Sequence, residues 1–177
     1  MASTEIAAAL ARVETVLHRR PDIGLHDDSP ASACWKGGTR VVATHANGTQ
    51  VSSDLPVELG GTGDLITPGW LFRAGLASCL ATTIALCAAG EGIELAALEV
   101  KAGSRSDTRG MLGMADADGR PVSAAPRDVK VHVRISAHGV AAERLRTLVE
   151  GSVRRSPIPC VLPDATPIDL HIDVDAA

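Results

Sequence analysis

The sequence predicts an α+β fold, with antiparallel-rich sheets around one long helix. Three observations carry that expectation. A run without a charged residue, Ala74 to Gly90, has the length of a long helix. Two segments, 129–135 and 168–174, alternate apolar and polar residues with the period of a strand. Three short strand candidates near 31–36, 39–45 and 49–53 are separated by the turn signals "KGGT" and "ANGT". At 177 residues the chain is most economically one domain over 31–177, preceded by a helix and linker over 1–30.

Taken in order, Ile6, Leu10, Val13 and Leu17 recur at helical spacing, so 3–20 reads as an amphipathic helix that Pro21 ends. Residues 21–30 read as a linker loop. In the strand region that follows, the Asn47-Gly48 pair is a hairpin signal. The Gly-rich stretch 55–68 is an irregular connection. Thr67 then caps the long helix, with Pro68 at its first position and Gly90 and Gly92 at its end. A strand near 95–106 leads into a turn-rich excursion.

Val129, Val131, Val133 and Ile135 alternate with Lys130, His132 and Arg134 as in a half-buried strand. A helix over 140–154 carries Ala141, Leu145, Leu148 and Val149 on one face. "SPIPCVLPDATP", with four prolines, reads as a loop, and 168–174 closes the chain as a strand.

Composition excludes several functions. A net charge of −4 gives no electrostatic case for nucleic acid or an anionic membrane, and two tryptophans, one phenylalanine and no tyrosine make no base-stacking platform. The charge-free run falls short of the roughly 20 apolar residues that span a bilayer. Built from small residues, it reads as a helix buried in a compact protein or at a subunit interface. The start of the chain has no secretory pattern. A cytoplasmic setting is therefore expected, with the four cysteines, 34, 79, 87 and 160, as reduced thiols. Their spacing matches no metal knuckle, so neither a metal nor a cofactor is expected. The six histidines read as solvent-facing, His132 and His171 on polar strand faces. "GGTGD" (60–64) lacks the Lys-Ser/Thr of a phosphate loop.

The cysteines are the candidates for chemistry. A thiol attacks only as thiolate, and its ordinary pKa near 8.5 must be lowered by a cation or a helix N-terminus. Cys79 lies about three turns into its helix, beyond the reach of the dipole, so the cation must come from another element. Cys87 lies eight residues on, roughly 12 Å of rise, too far to bridge to Cys79. Cys87 and Cys34 read as small core fillers.

The segment "VSSDLPVELGGTGDLITPGWLFRAGLASCLATTIALCAAGEGIEL" resembles the central part of the OsmC/Ohr family of peroxide-reducing thiol proteins. The marks are Val51–Asp54, Leu59-Gly60-Gly61, Pro68, Leu71, the Ala/Gly run and Ser78-Cys79. More weakly, "SPIPCVLPDATPIDLHIDV" resembles that family's second cysteine loop and last strand, so the likeness covers about residues 32–175. The resemblance implies an OsmC-like fold and an intertwined homodimer, with sites at the subunit interface. It also implies a thiol-dependent peroxidase of organic hydroperoxides or hydrogen peroxide, serving oxidative stress defence. Cys79 would become a sulfenic acid, a second cysteine would form a disulfide, and an external dithiol would reduce it. The residues expected to serve are Cys79 as attacking thiol, Cys160 as second thiol and Arg40 as activating cation.

Three positions depart from the pattern. Gly69 stands where the hydroperoxide-specialised branch has a glutamate that orients the arginine. The second cysteine maps onto Ser156, four residues before Cys160. Arg40 follows Gly37-Gly38 without a clean alignment. Two arrangements are therefore to be told apart. Cys160 beside Cys79 favours the two-thiol cycle. With Cys160 turned elsewhere, Cys79 works with an external thiol or not at all, and Ser156 facing Cys79 favours the latter, a protein that kept the fold but binds a small apolar ligand or partner. A cysteine-dependent hydrolase is a weaker third reading, because no histidine is placed as its base.

Overall fold

A computed structural model describes residues 3–161 and 168–174. The elements run α1 (Ser3–Arg19), β1 (Ser32–Trp35), β2 (Val41–Thr44), β3 (Gln50–Ser53), α2 (Pro68–Gly90), β4 (Leu95–Arg105), α3 (Thr108–Met111), β5 (Arg127–Ala137), α4 (Ala142–Val153), α5 (Pro157–Val161) and β6 (Ile168–Val174). Short 3₁₀ turns occupy Pro21–Gly24 and Val57–Leu59, inside segments expected to be irregular. The α+β class, the long helix and the six strands all stand as the sequence predicts.

Contacts group the chain into two compact units, Val13–Ala74 and Met1–Arg12 with Gly75–Ala177. The first unit holds the antiparallel sheet β1-β2-β3. At the Asn-Gly hairpin, Gly48 N donates to His45 O at 2.9 Å, and Asn47 Oδ1 accepts from Thr49 N at 2.9 Å. The Leu59-Gly60-Gly61 mark has a steric origin. Gly60 leaves the 3₁₀ turn at φ 83°, a left-handed conformation that L side chains avoid. A Cβ on Gly61 would stand 1.8 Å from the Leu55 carbonyl oxygen, so only glycine lets the two backbones approach.

The second unit holds the sheet β4-β5-β6. β4 and β5 are antiparallel, whereas β5 and β6 run parallel, with α4 in the crossover that a parallel pair requires. Val129, Val131, Val133 and Ile135 are at most 1% exposed, as their alternation predicts. Leu145, Leu148 and Val149 of α4 are buried too; Ala141 lies outside the helix as its N-cap residue and is exposed.

Three sequence expectations need correction. "SPIPCVLPDATP" is not wholly a loop, because α5 occupies Pro157–Val161. Both prolines fall in its first turn, where a helix leaves N–H groups unpaired and a missing one costs nothing. Residues 162–167 of that stretch lie outside the described residues. Cys34 is no core filler, since the whole of β1 is exposed. Helix α2 is buried along one stripe only, Leu76, Leu80, Ile84 and Ala88 with Ala89. Trp70 and Leu86 stay 47% and 39% exposed, on the one described helix long and apolar enough to cross a membrane.

Candidate functional site

Each unit holds one arrangement of its own. In the first, Asp54 follows the last residue of β3 and is 1% exposed. Its Oδ1 accepts from Thr39 Oγ1 at 2.5 Å and from Leu55 N at 2.8 Å. Its Oδ2 accepts from Thr62 Oγ1 at 2.6 Å and Thr62 N at 3.1 Å. These donors, Thr39 foremost, hold the carboxyl far below the usual carboxylate range.

Arg40, in the β1–β2 turn, lies over this network. Its Nη2 donates to Asp64 Oδ1 at 2.7 Å and Oδ2 at 2.9 Å, and to Thr62 Oγ1 at 3.0 Å. Asp54 Oδ2 lies 3.8 Å from the same nitrogen. The Asp64 carboxyl is also pushed down, first by the Thr62 hydroxyl and then by Arg40. The motif residues from Ser53 to Asp64 therefore build a clamp for one guanidinium. The sequence points to Arg40 but not to Asp64 and Thr62, which no motif or local period singles out.

In the second unit, α2 carries Cys79 and the α4–α5 junction carries Ser156. Thr67 Oγ1 accepts from Trp70 N at 3.2 Å, so the helix is capped as its sequence predicts. The Cys79 thiol is half-buried, and its Sγ lies 3.2 Å from Ser156 Oγ. Ser156 is fully buried, fixed by its N–H on Val153 O at 3.3 Å and its carbonyl on Cys160 N at 3.0 Å. Thr83 Oγ1 donates to the Cys79 carbonyl at 2.9 Å, the self-capping expected of a threonine one turn along.

Cys160 is directed differently. It sits one turn beyond Ser156, is exposed, and its Sγ donates to the carbonyls of Arg154 at 3.3 Å and Val153 at 3.7 Å. Of the two arrangements posed by the sequence, the structure adopts the one with Ser156 against Cys79. Cys87 is half-buried, with Arg155 Nη1 at 4.0 Å from its sulfur.

The chemistry of the pair is limited by its atoms. The serine hydroxyl can donate a hydrogen bond to a thiolate and so favour it, but it cannot form a disulfide. A sulfenic acid on Cys79 would have no sulfur at this position to resolve it.

Comparison with known proteins follows the same lines. No curated protein matches the chain. An OsmC-like protein from Mycoplasma pneumoniae superposes with a TM-score of 0.70 at 17% identity, over 85% of this chain and 99% of that one. An organic hydroperoxide resistance protein from Elizabethkingia anophelis gives 0.66 at 20% identity, over 85% and 100% of the two chains. An OsmC-like protein of unknown function from Vibrio cholerae gives 0.67 at 13% identity, over 83% and 99%. At these identities the likeness is one of fold. The sequence pattern of the OsmC-like protein family matches residues 61–171, well over half of the chain, and on that match the chain belongs to the OsmC-like family.

Proposed function

We propose that the protein reduces peroxides through Cys79 and that an external thiol, not a second cysteine of the chain, resolves the oxidised form. The observation that carries the external-thiol part of this reading is the 3.2 Å contact of Cys79 Sγ with Ser156 Oγ, which puts a hydroxyl where a resolving sulfur would stand. The Cys79 thiolate attacks one peroxide oxygen, the O–O bond breaks, and the other oxygen leaves as alcohol or water after taking up a proton. An external thiol then displaces hydroxide from the Cys79 sulfenic acid, which leaves as water. A second external thiol releases Cys79 from the mixed disulfide, so two thiols are oxidised per peroxide reduced. Membership of the OsmC-like family supports the reading, as do fold relatives whose names carry organic hydroperoxide resistance.

Arg40 is kept as the proposed activating cation, the role that the family resemblance gives it. In this proposal Asp64 takes over the orienting role of the glutamate replaced by Gly69, and its two contacts with Arg40 support that assignment. The purified protein should consume cumene hydroperoxide with dithiothreitol, and Cys79→Ser should abolish turnover. Full activity in that variant would refute the proposal.

A second reading is favoured by the same serine and by Gly69. The protein would then have kept the fold and lost the cycle, and would bind a small apolar ligand or partner. No hydroperoxide consumption by the reduced wild-type protein, with Cys79 still open to alkylation, would select it.

A further inference from the structure

The polar face of the β4-β5-β6 sheet carries a cluster that the thiol chemistry does not use. The parallel register pairs His132 with His171 and Arg134 with Asp173. His171 and Asp173 are two residues apart on one strand and so share a face, with His132 beside them on the next strand. The sequence reading takes both histidines as solvent-facing, but only His171 is open to solvent, at 74% side-chain exposure. His132 is 34% exposed and its Nε2 is bonded to Asp173 Oδ2. His171 Nε2 stands 3.5 Å from Asp173 Oδ1. The two rings are 5.0 Å apart, tilted at 43°.

We propose that His132, His171 and Asp173 form a binding site for a divalent first-row transition-metal ion such as Zn²⁺. One ligand atom from each residue lies within 4.8 Å of the other two. A tetrahedral zinc ion with bonds of 2.0–2.2 Å needs its ligand atoms roughly 3.3 Å apart, so the His132–Asp173 contact must open and the wider separations close, an adjustment that side-chain rotation supplies. Both imidazoles present Nε2 to the same carboxylate, and with the proton on Nδ1 each Nε2 has a lone pair to offer an ion. Two nitrogens and one carboxylate oxygen suit a borderline ion rather than Ca²⁺ or Mg²⁺, which take oxygen ligands. Three protein ligands on an open sheet face leave a coordination position for water. Lys101 is in register with His132 and Arg134 with Asp173, while Glu99 stands 3.3 Å from Lys101 and in register with Arg134, so the charges beside the site are mixed.

A simpler occupant of this geometry is the His132–Asp173 ion pair itself, and titration of the full chain with Zn²⁺ separates the two. Imidazole ¹H–¹⁵N spectra at neutral pH should show the signals of both His132 and His171 shifting, saturating at one ion per chain. His171→Ala, at an exposed position, should retain the fold and weaken that binding by more than the 10- to 100-fold typical of losing a second-shell partner. Asp173→Asn should weaken it as well. Unmoved histidine signals up to millimolar Zn²⁺ would leave an ion pair only and overturn the proposal. Zn²⁺ binding that survives both variants would place the metal elsewhere on the chain and overturn it equally.

Discussion

The 3.2 Å contact between Cys79 and Ser156 decides what this chain can do with an oxidised thiol. Serine and cysteine are nearly isosteric, so the pocket that holds Ser156 is already shaped for a second sulfur. Ser156→Cys should therefore convert the site to a two-thiol one. Exposure to one equivalent of hydrogen peroxide should produce a disulfide between position 156 and Cys79, read as loss of two titratable thiols and a non-reducing gel shift. The wild-type protein should form no such intramolecular bond, since its remaining candidate, Cys160, turns its thiol to the carbonyls of its own helix junction. A Cys79–Cys160 disulfide in the oxidised wild type would contradict this.

At the scale of elements, the β1–β2 turn, the end of β3 and the Gly-rich connection cooperate to bury one carboxylate. Asp54 has a native pKa well below its unfolded value near 3.9, so it adds stability that is complete above about pH 5. That contribution is lost as pH falls through 4 toward the native value, because the unfolded chain then binds the proton first. Urea titrations should show Asp54→Asn less stable than wild type at pH 7, with the gap narrowing steadily toward pH 2. An unchanged gap would mean that the carboxylate charge does no structural work. The slope that remains in the variant belongs to carboxyls shifted the same way. These include Asp107, held at about 2 by Arg109, and Asp173, lowered chiefly by His132.

Much of this scale was legible in the sequence, and the misses have physical causes. Periodicity found β5 and α4 because each has one buried face, strict alternation found β6, and Thr67-Pro68 marked the start of α2. The turn at Pro157–Val161 was missed because proline signals a break, although at the first helical positions it removes no bond. The clamp on Arg40 was missed because it joins residues 22 and 24 apart in sequence, which no local period records. Likewise the His132–His171–Asp173 cluster depends on a parallel register, and an alternating pattern does not disclose strand direction.

For the whole molecule, α2 raises the question of what covers its remaining apolar surface. A helix rich in small residues with only one buried stripe suits a second copy, and we propose the homodimer that the family resemblance implies. Sedimentation equilibrium at micromolar concentration should give about 36 kDa, twice the 18.2 kDa chain. Leu86→Glu, on the exposed part of α2, should shift the equilibrium toward monomer. A wild-type protein that stays monomeric to high concentration would contradict the proposal.

In the proposed cycle Cys79 is the oxidised residue, and the chain does not resolve it alone. The most direct measurement is peptide mass spectrometry after one equivalent of cumene hydroperoxide, with dimedone present to trap sulfenic acid. A dimedone adduct should form on Cys79 and be absent in Cys79→Ser, and the free thiol should be fully recovered when an external dithiol replaces dimedone. An unmodified Cys79 with the peroxide unconsumed would contradict it.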